Sequence, residues 1–282
     1  MEGFKKTLRT ERSPLRTATS ALLLAGAAAA LALVAGGFKN VAQTVVWDHG
    51  FDFFKEFAIR PGGVLEYVGL FLTRTFLTPP LGIALLLLVF VAICVVCRNA
   101  AGPDSIVAML PAACIMFFLA GPQFGLQGGA DKGWIFSLPL GCLAAVSAVS
   151  AFRNCSIPWI YAIIVAVVGY YLCGAYGLIA AFAIALMAFG TKHMYTTAVS
   201  VCFAVALPFA YQKIPHSQIA GRHAWMGGLP LVVCIVVLVA MLLVALCTVW
   251  RRRPAAKPGL SFVVGAILSV AMVGCALFTY YI

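Results

Sequence analysis

Charge is what this chain has least of. Only 10% of its 282 residues are Asp, Glu, Lys or Arg, and only eight of those are acidic, where soluble domains carry about 25%. With 63% hydrophobic residues, it lacks the polar surface that a water-soluble domain of this size needs. Alternation of apolar and polar residues is missing too, which disfavours a transmembrane barrel. No long apolar run has a charge near its centre, which argues against an ion-coupled carrier. Nucleophile-elbow, H-E-x-x-H and Walker patterns are absent. Ten cysteines are present, but none lies in the substantial loops assigned below to the far side, so no disulfide framework is expected. Cys94 and Cys97 form a C-x-x-C pair without a second pair or a histidine partner, so no zinc site is read there.

What the chain has instead is long apolar runs. They fall at about 17–37, 81–97, 106–121, 134–152, 158–173, 175–190, 195–211, 228–250 and 259–282. Most approach the roughly 20 residues that a helix needs to cross about 30 Å of hydrocarbon. The expected fold is all-α: a polytopic transmembrane bundle of about nine spans forming one integral membrane domain over 1–282. The runs at 158–173 and 175–190 are short, and read equally as two spans or as a re-entrant pair. The net charge of +11 lies where runs end, without the aromatic-interleaved basic surface of a nucleic-acid binder, so no nucleic-acid partner is expected. A basic tail at 1–16 (Lys5, Lys6, Arg9, Arg12, Arg16) places the N-terminus in the cytoplasm. Alternating the loops then puts twelve basic residues inside and seven outside, with Arg251, Arg252 and Arg253 closing the eighth run on the inner side. The expected location is a bacterial inner membrane, N-terminus in and C-terminus out.

The first run also resembles a signal peptide, with Val34-Ala35-Gly36-Gly37 as a cleavable stretch, and is read here as a retained span. Ser261, Gly265 and Ser269 on the last run, and Ala21, Ala25 and Ala29 on the first, form small-xxx-small stripes suited to close helix contact inside the monomer. Tryptophans near run ends, Trp47, Trp134, Trp159, Trp225 and Trp250, read as interface anchors.

The loop Asn40–Pro80 departs from simple spanning. Phe51, Phe54 and Phe57 share one helical face, while Asp52, Lys55, Glu56 and Arg60 occupy the other, the pattern of an amphipathic helix lying in the membrane interface. Pro61-Gly62-Gly63 breaks it, and a second short helix follows over Val64–Leu77 before Pro79-Pro80. Asp48, Asp52, Glu56 and Glu66 bring half of the acidic residues into this loop. They read either as a solvated face or as carboxylates that bind a ligand beside the membrane.

Phe53-Phe54, Arg60-Pro61-Gly62-Gly63, Glu66-Tyr67, Phe71-Leu72-Thr73 and the Phe76 to Pro80 stretch resemble a poorly characterised family of multi-pass membrane proteins from Bacteroidota. The members look longer, so this chain resembles a short or truncated one. The layout is also similar to glycosyltransferases that use polyprenyl-phosphate sugars. Those place a catalytic carboxylate in the first external loop. That resemblance implies Asp48 or Asp52 as the base. Arg60, Glu66 and Arg74, in the same loop, are the candidate ligand-binding residues. The close acidic pair typical of those enzymes is not matched by Asp48 and Asp52, four residues apart.

No metal and no cofactor are expected. His49, His216 and His223 match no zinc spacing, and Gly125-x-x-Gly128-Gly129 with Asp131 reads as a turn. The preferred reading is a membrane scaffold or accessory protein of unknown activity, its partners the bilayer and either a lipid-linked ligand or other membrane proteins. A lipid-linked sugar transferase, or a remnant of one, and a carrier of small apolar or lipid molecules are the alternatives. Whether the chain is an enzyme stays open.

Overall fold

The computed structural model describes residues 14–45, 47–48, 50–101, 109–120, 133–152, 154–189, 194–212 and 258–281. Among them the structure is helical and contains no strand. The helices are α1 (Pro14–Thr44), α2 (Phe51–Ala58), α3 (Gly63–Thr73), α4 (Pro79–Ala101), α5 (Leu110–Ala120), α6 (Trp134–Phe152), α7 (Pro158–Cys173), α8 (Ala175–Ala188), α9 (Met194–Gln212) and α10 (Pro258–Tyr281), with a 3-10 turn at Arg74–Leu77. Among the described residues, three stretches are long and apolar enough to cross a membrane: Ala18–Thr44, Pro79–Asn99 and Trp134–Phe152. The run expected at 228–250 lies outside the described residues.

Contacts gather the helix termini into two ends of the bundle. At one end the last turns of α1 meet the starts of α4 and α6. Phe76 is wholly buried there, 5.0 Å from the Phe38 ring and 5.9 Å from that of Phe136, and Phe38 lies 6.4 Å from Trp134. Gly82 lets α4 begin against the face of Phe76, where a side chain would strike the ring. Trp134 is therefore a core residue and not the exposed anchor that its position at a run end suggests, because α3 folds over the start of α6. At the other end, the Tyr161 hydroxyl at the start of α7 donates to the Ala148 carbonyl late in α6 (2.8 Å). The Thr197 hydroxyl at the start of α9 donates to Ala185 late in α8 (3.1 Å).

Helices α1 and α10 run parallel along each other. The Ser269 hydroxyl is 2.8 Å from the Gly265 carbonyl of its own helix and 3.0 Å from the Leu22 carbonyl of α1, so its one proton is shared between them. Gly265 faces Thr19 and Leu23, and a Cβ on Gly26 would stand 2.7 Å from that of Ser269. The α10 half of the expected small-residue contact is present within the chain at Gly265 and Ser269. The α1 half is not: Ala21, Ala25 and Ala29 are exposed. Gly26, with the buried Thr19, Leu23 and Ala30, makes the contact face instead. Glycine permits a closer approach than alanine, and a shared hydroxyl proton adds a polar link between helices.

Helices α7 and α8 form a hairpin that turns at Gly174, whose φ of 60° and ψ of −128° lie in a region that side chains avoid. Behind the turn, Gly169 and Gly177 bring the two backbones into direct contact. At 16 and 14 residues, these helices are about 24 and 21 Å long, which accounts for their falling short of a full apolar span.

Candidate functional site

Between α1 and α4 the chain builds two short helices, as its residue pattern predicts, but their aromatic face turns inward. Phe57 is only 8% exposed, packed 5.1 Å from Phe53 and 6.0 Å from Tyr67, and Phe54 meets the edge of Tyr67 at 5.0 Å. Trp47 closes the cluster, 4.3 Å from Tyr67, 5.7 Å from Phe53 and 5.3 Å from Phe71. Each such pair contributes about 0.5–1.5 kcal/mol beyond its buried area. Of the three phenylalanines expected to face lipid, only Phe51, at 74% exposure, points away from the protein. The reason is the Pro61-Gly62-Gly63 turn, which folds α2 back onto α3 so that the rings of α2 meet Tyr67.

That turn is fastened to the bundle. Gly62 has φ +77°, and its N–H, aimed outward by that conformation, donates to the Tyr171 carbonyl near the end of α7 (2.9 Å). The Tyr171 hydroxyl donates in return to the Ala58 carbonyl of α2 (2.6 Å). Gly62 and Gly174 face each other backbone to backbone: a Cβ on Gly62 would lie 3.1 Å from the Gly174 Cα, and one on Gly174 would lie 3.2 Å from the Gly62 Cα. On the other flank, Gly69 of α3 abuts the Gly133 carbonyl, and Gly133 abuts the Glu66 carbonyl and the Leu70 nitrogen. The loop is thus held by the α7–α8 turn on one side and by the start of α6 on the other.

Arg60 and Glu66 span the turn. The Arg60 Nη2 donates to the Glu66 Oε1 at 2.9 Å, with side-chain exposures of 23% and 16%, and the guanidinium stacks over the Phe57 ring at 4.8 Å. The Arg60 Nε is buried without a hydrogen-bond acceptor. Both residues, expected to bind a ligand, thus also hold the turn to α3. Glu66→Gln keeps the shape and removes the charge that faces this half-buried cation, and it should destabilise the protein by about 1–2 kcal/mol. Thermal denaturation in detergent measures that loss. Arg74, the third expected ligand-binding residue, sits half-buried in the 3-10 turn that leads into α4.

The two candidate bases are both exposed. The Asp48 Oδ1 accepts the Gly50 N–H at 3.0 Å, closing the turn that starts α2. Asp52 lies in the first turn of α2, where a negative charge complements the helix dipole. Among the described residues, no three His, Cys, Asp or Glu side chains gather in a way that could hold a metal. His49, His216, His223, Gly125, Gly128, Gly129 and Asp131 lie outside the described residues. Gly174 stands in the Gly174-Ala175-Tyr176-Gly177 joint between the two short runs, whereas nothing in the sequence marks Tyr171 as a clamp partner. The one available sign was a pair of glycine-rich turns that the charge-derived order places on the same side.

A model for a family of unknown function, DUF6057, matches residues 38–192, more than half of the chain. The chain belongs to that family. No curated protein and no solved structure matches it. The matched stretch begins at Phe38, in the last turns of α1, and ends just beyond α8. It therefore contains the clamped loop together with both elements that hold it, α6 and the α7–α8 hairpin.

Proposed function

We propose that this chain is a multi-pass protein of the bacterial cytoplasmic membrane that crosses it nine times. In this reading the N-terminus is inside, the C-terminus is outside, and the 40–80 loop is a rigid external platform on which other membrane components assemble. The observation that carries the platform reading is the double hydrogen bond between the Pro61-Gly62-Gly63 turn and Tyr171. It ties two segments more than a hundred residues apart, and so presents α2 in one fixed pose. The outward side of α2 carries Phe51, Asp52, Lys55, Glu56 and Ile59, all exposed. That mixed apolar and charged surface suits a membrane-interface contact with a protein or a lipid-linked molecule.

Membrane insertion is supported by the apolar faces left uncovered: Leu81, Leu88, Val91 and Val95 on α4, and Ile160, Ile164, Val167 and Val168 on α7. Such continuous faces are unstable in water. The nine-span order is supported by the two ends of the bundle. The loop and the turn at Gly174 meet at one end, as alternating spans require. Parallel α1 and α10 need an odd total. A fusion of alkaline phosphatase at Ile282 should therefore be active and a fluorescent-protein fusion dark; the opposite pair of results overturns the topology.

A scaffold and a transferase differ at Asp48 and Asp52. With Asp48 engaged by Gly50 and Asp52 on the helix dipole, Asp48→Asn and Asp52→Asn should change stability by no more than about 0.5 kcal/mol. Both should restore the envelope glycolipid profile of a deletion strain as wild type does. Loss of a general base would instead cost a factor of about 10²–10⁴ in rate. Failure of either variant to complement, at normal expression, would replace the scaffold reading with the enzyme.

A further inference from the structure

At the end of the bundle opposite the clamped loop, α1 and α4 diverge and leave an open crevice of about 270 Å³. Leu23, Leu24, Phe90, Val91 and Cys94 are among the residues that line it, and Arg98 stands at its edge in the last turn of α4. Among the described residues its wall is apolar apart from Ser20 and the single cation, with no acidic side chain. Arg98 is exposed and makes no ion pair among the described residues. Along the chain, this end of α1 follows the basic 1–16 segment, whose five lysines and arginines outnumber its two glutamates. The four described acidic residues, Asp48, Asp52, Glu56 and Glu66, all belong to the loop at the far end.

We propose that this crevice binds one acyl chain of an anionic phospholipid of the cytoplasmic leaflet, with the lipid's phosphate paired to Arg98. The inference rests on the membrane reading above. An apolar slot between two helices is the right shape for a hydrocarbon chain. A cation at its edge lies at the depth where a headgroup must sit if the chain fills the slot. Basic pockets between helices on the cytoplasmic side select anionic headgroups, each Lys or Arg contributing a factor of about five in affinity. Charge complementarity favours a lipid over another helix as occupant, since an apolar helix would leave Arg98 without a counter-charge at the rim.

Delipidated protein in detergent, titrated with phosphatidylglycerol or with phosphatidylethanolamine of the same acyl chains and followed by native mass spectrometry, tests this. Wild type should prefer phosphatidylglycerol. Arg98→Gln should lose about fivefold in affinity for phosphatidylglycerol and less for phosphatidylethanolamine, whose ammonium offsets its phosphate charge, and Arg98→Lys should retain the preference. Leu24→Trp, which fills the slot from an exposed position, should weaken both lipids. Equal affinity for the two headgroups, or an unchanged Arg98→Gln, overturns the proposal. A photo-crosslinker replacing Val91 should capture phospholipid in intact membranes. Capture of residues 213–257 instead would show that the chain's own segment fills the crevice, and would also overturn it. Failure of the protein to fractionate with membranes would sink the membrane reading itself, an outcome distinct from all of these.

Discussion

Gly177→Val should leave almost no folded protein. Gly177 stands three residues past the hairpin turn, and a Cβ there would run into the Gly169 carbonyl and the Tyr170 nitrogen, both main-chain groups. Neither can swing aside as a side-chain tip can, so α7 and α8 must separate along their length. Overpacking of this kind costs about 1–3 kcal/mol when neighbours can shift, and a clash with two backbone groups belongs at or above the top of that range. In lipid there is little hydrophobic gain to offset it, because helix association there depends on close packing through small residues. The measurement is the surviving monodisperse fraction after heating in detergent, followed by size-exclusion chromatography. Gly36→Ala in α1 is the control. No atom lies within 4 Å of a Cβ at that position, so its stability should be unchanged or up to about 1 kcal/mol higher through better helix propensity. A Gly177→Val protein that melts like wild type would mean that the two helices do not pack by this contact.

The contrast between those glycines marks how far a sequence can be read. Apolar runs located α1 and α4 to α10, because run length and charge placement are properties of one segment at a time. The break at Pro61-Gly62-Gly63 and the two short helices around it were legible for the same reason. What a segment packs against is not a property of that segment. An amphipathic pattern says that Phe54 and Phe57 share a face; it does not say whether Tyr67 or lipid will cover it. The Ala21, Ala25 and Ala29 stripe had the spacing of a contact face, yet Gly26, one position out of that register, determines where α10 docks. Among the candidate site residues, Arg60 and Glu66 proved to be neighbours across a turn. Asp48 and Asp52 took local roles at the start of α2 that their spacing alone did not reveal.

Gly62→Ala should release the loop while leaving the rest of the bundle folded. Alanine at φ +77° pays the steric cost of the left-handed region, about 1–2 kcal/mol, and its methyl would lie 3.1 Å from the Gly174 Cα and nitrogen. Relieving that contact moves the turn away from α7 and lengthens the hydrogen bond from Gly62 to the Tyr171 carbonyl, so a loss of about 2 kcal/mol or more is expected for the docked state. Two kcal/mol corresponds to about a thirtyfold change in an opening equilibrium. Amide hydrogen exchange in α2 and the first turn of α3 should therefore accelerate by about that factor. Amides in the middle of α6, which belong to the core, should exchange as in wild type. Tyr171→Phe removes only the hydroxyl's bond to Ala58 and should cost about 1 kcal/mol. Because both changes act on the same docked state, the double variant should lose less than the sum of the two, with a coupling of about 0.5 kcal/mol or more. Additive effects would mean that the two bonds act on separate motions. Unchanged exchange in α2 would mean that the loop is held without this clamp, and the platform reading would lose the observation on which it stands.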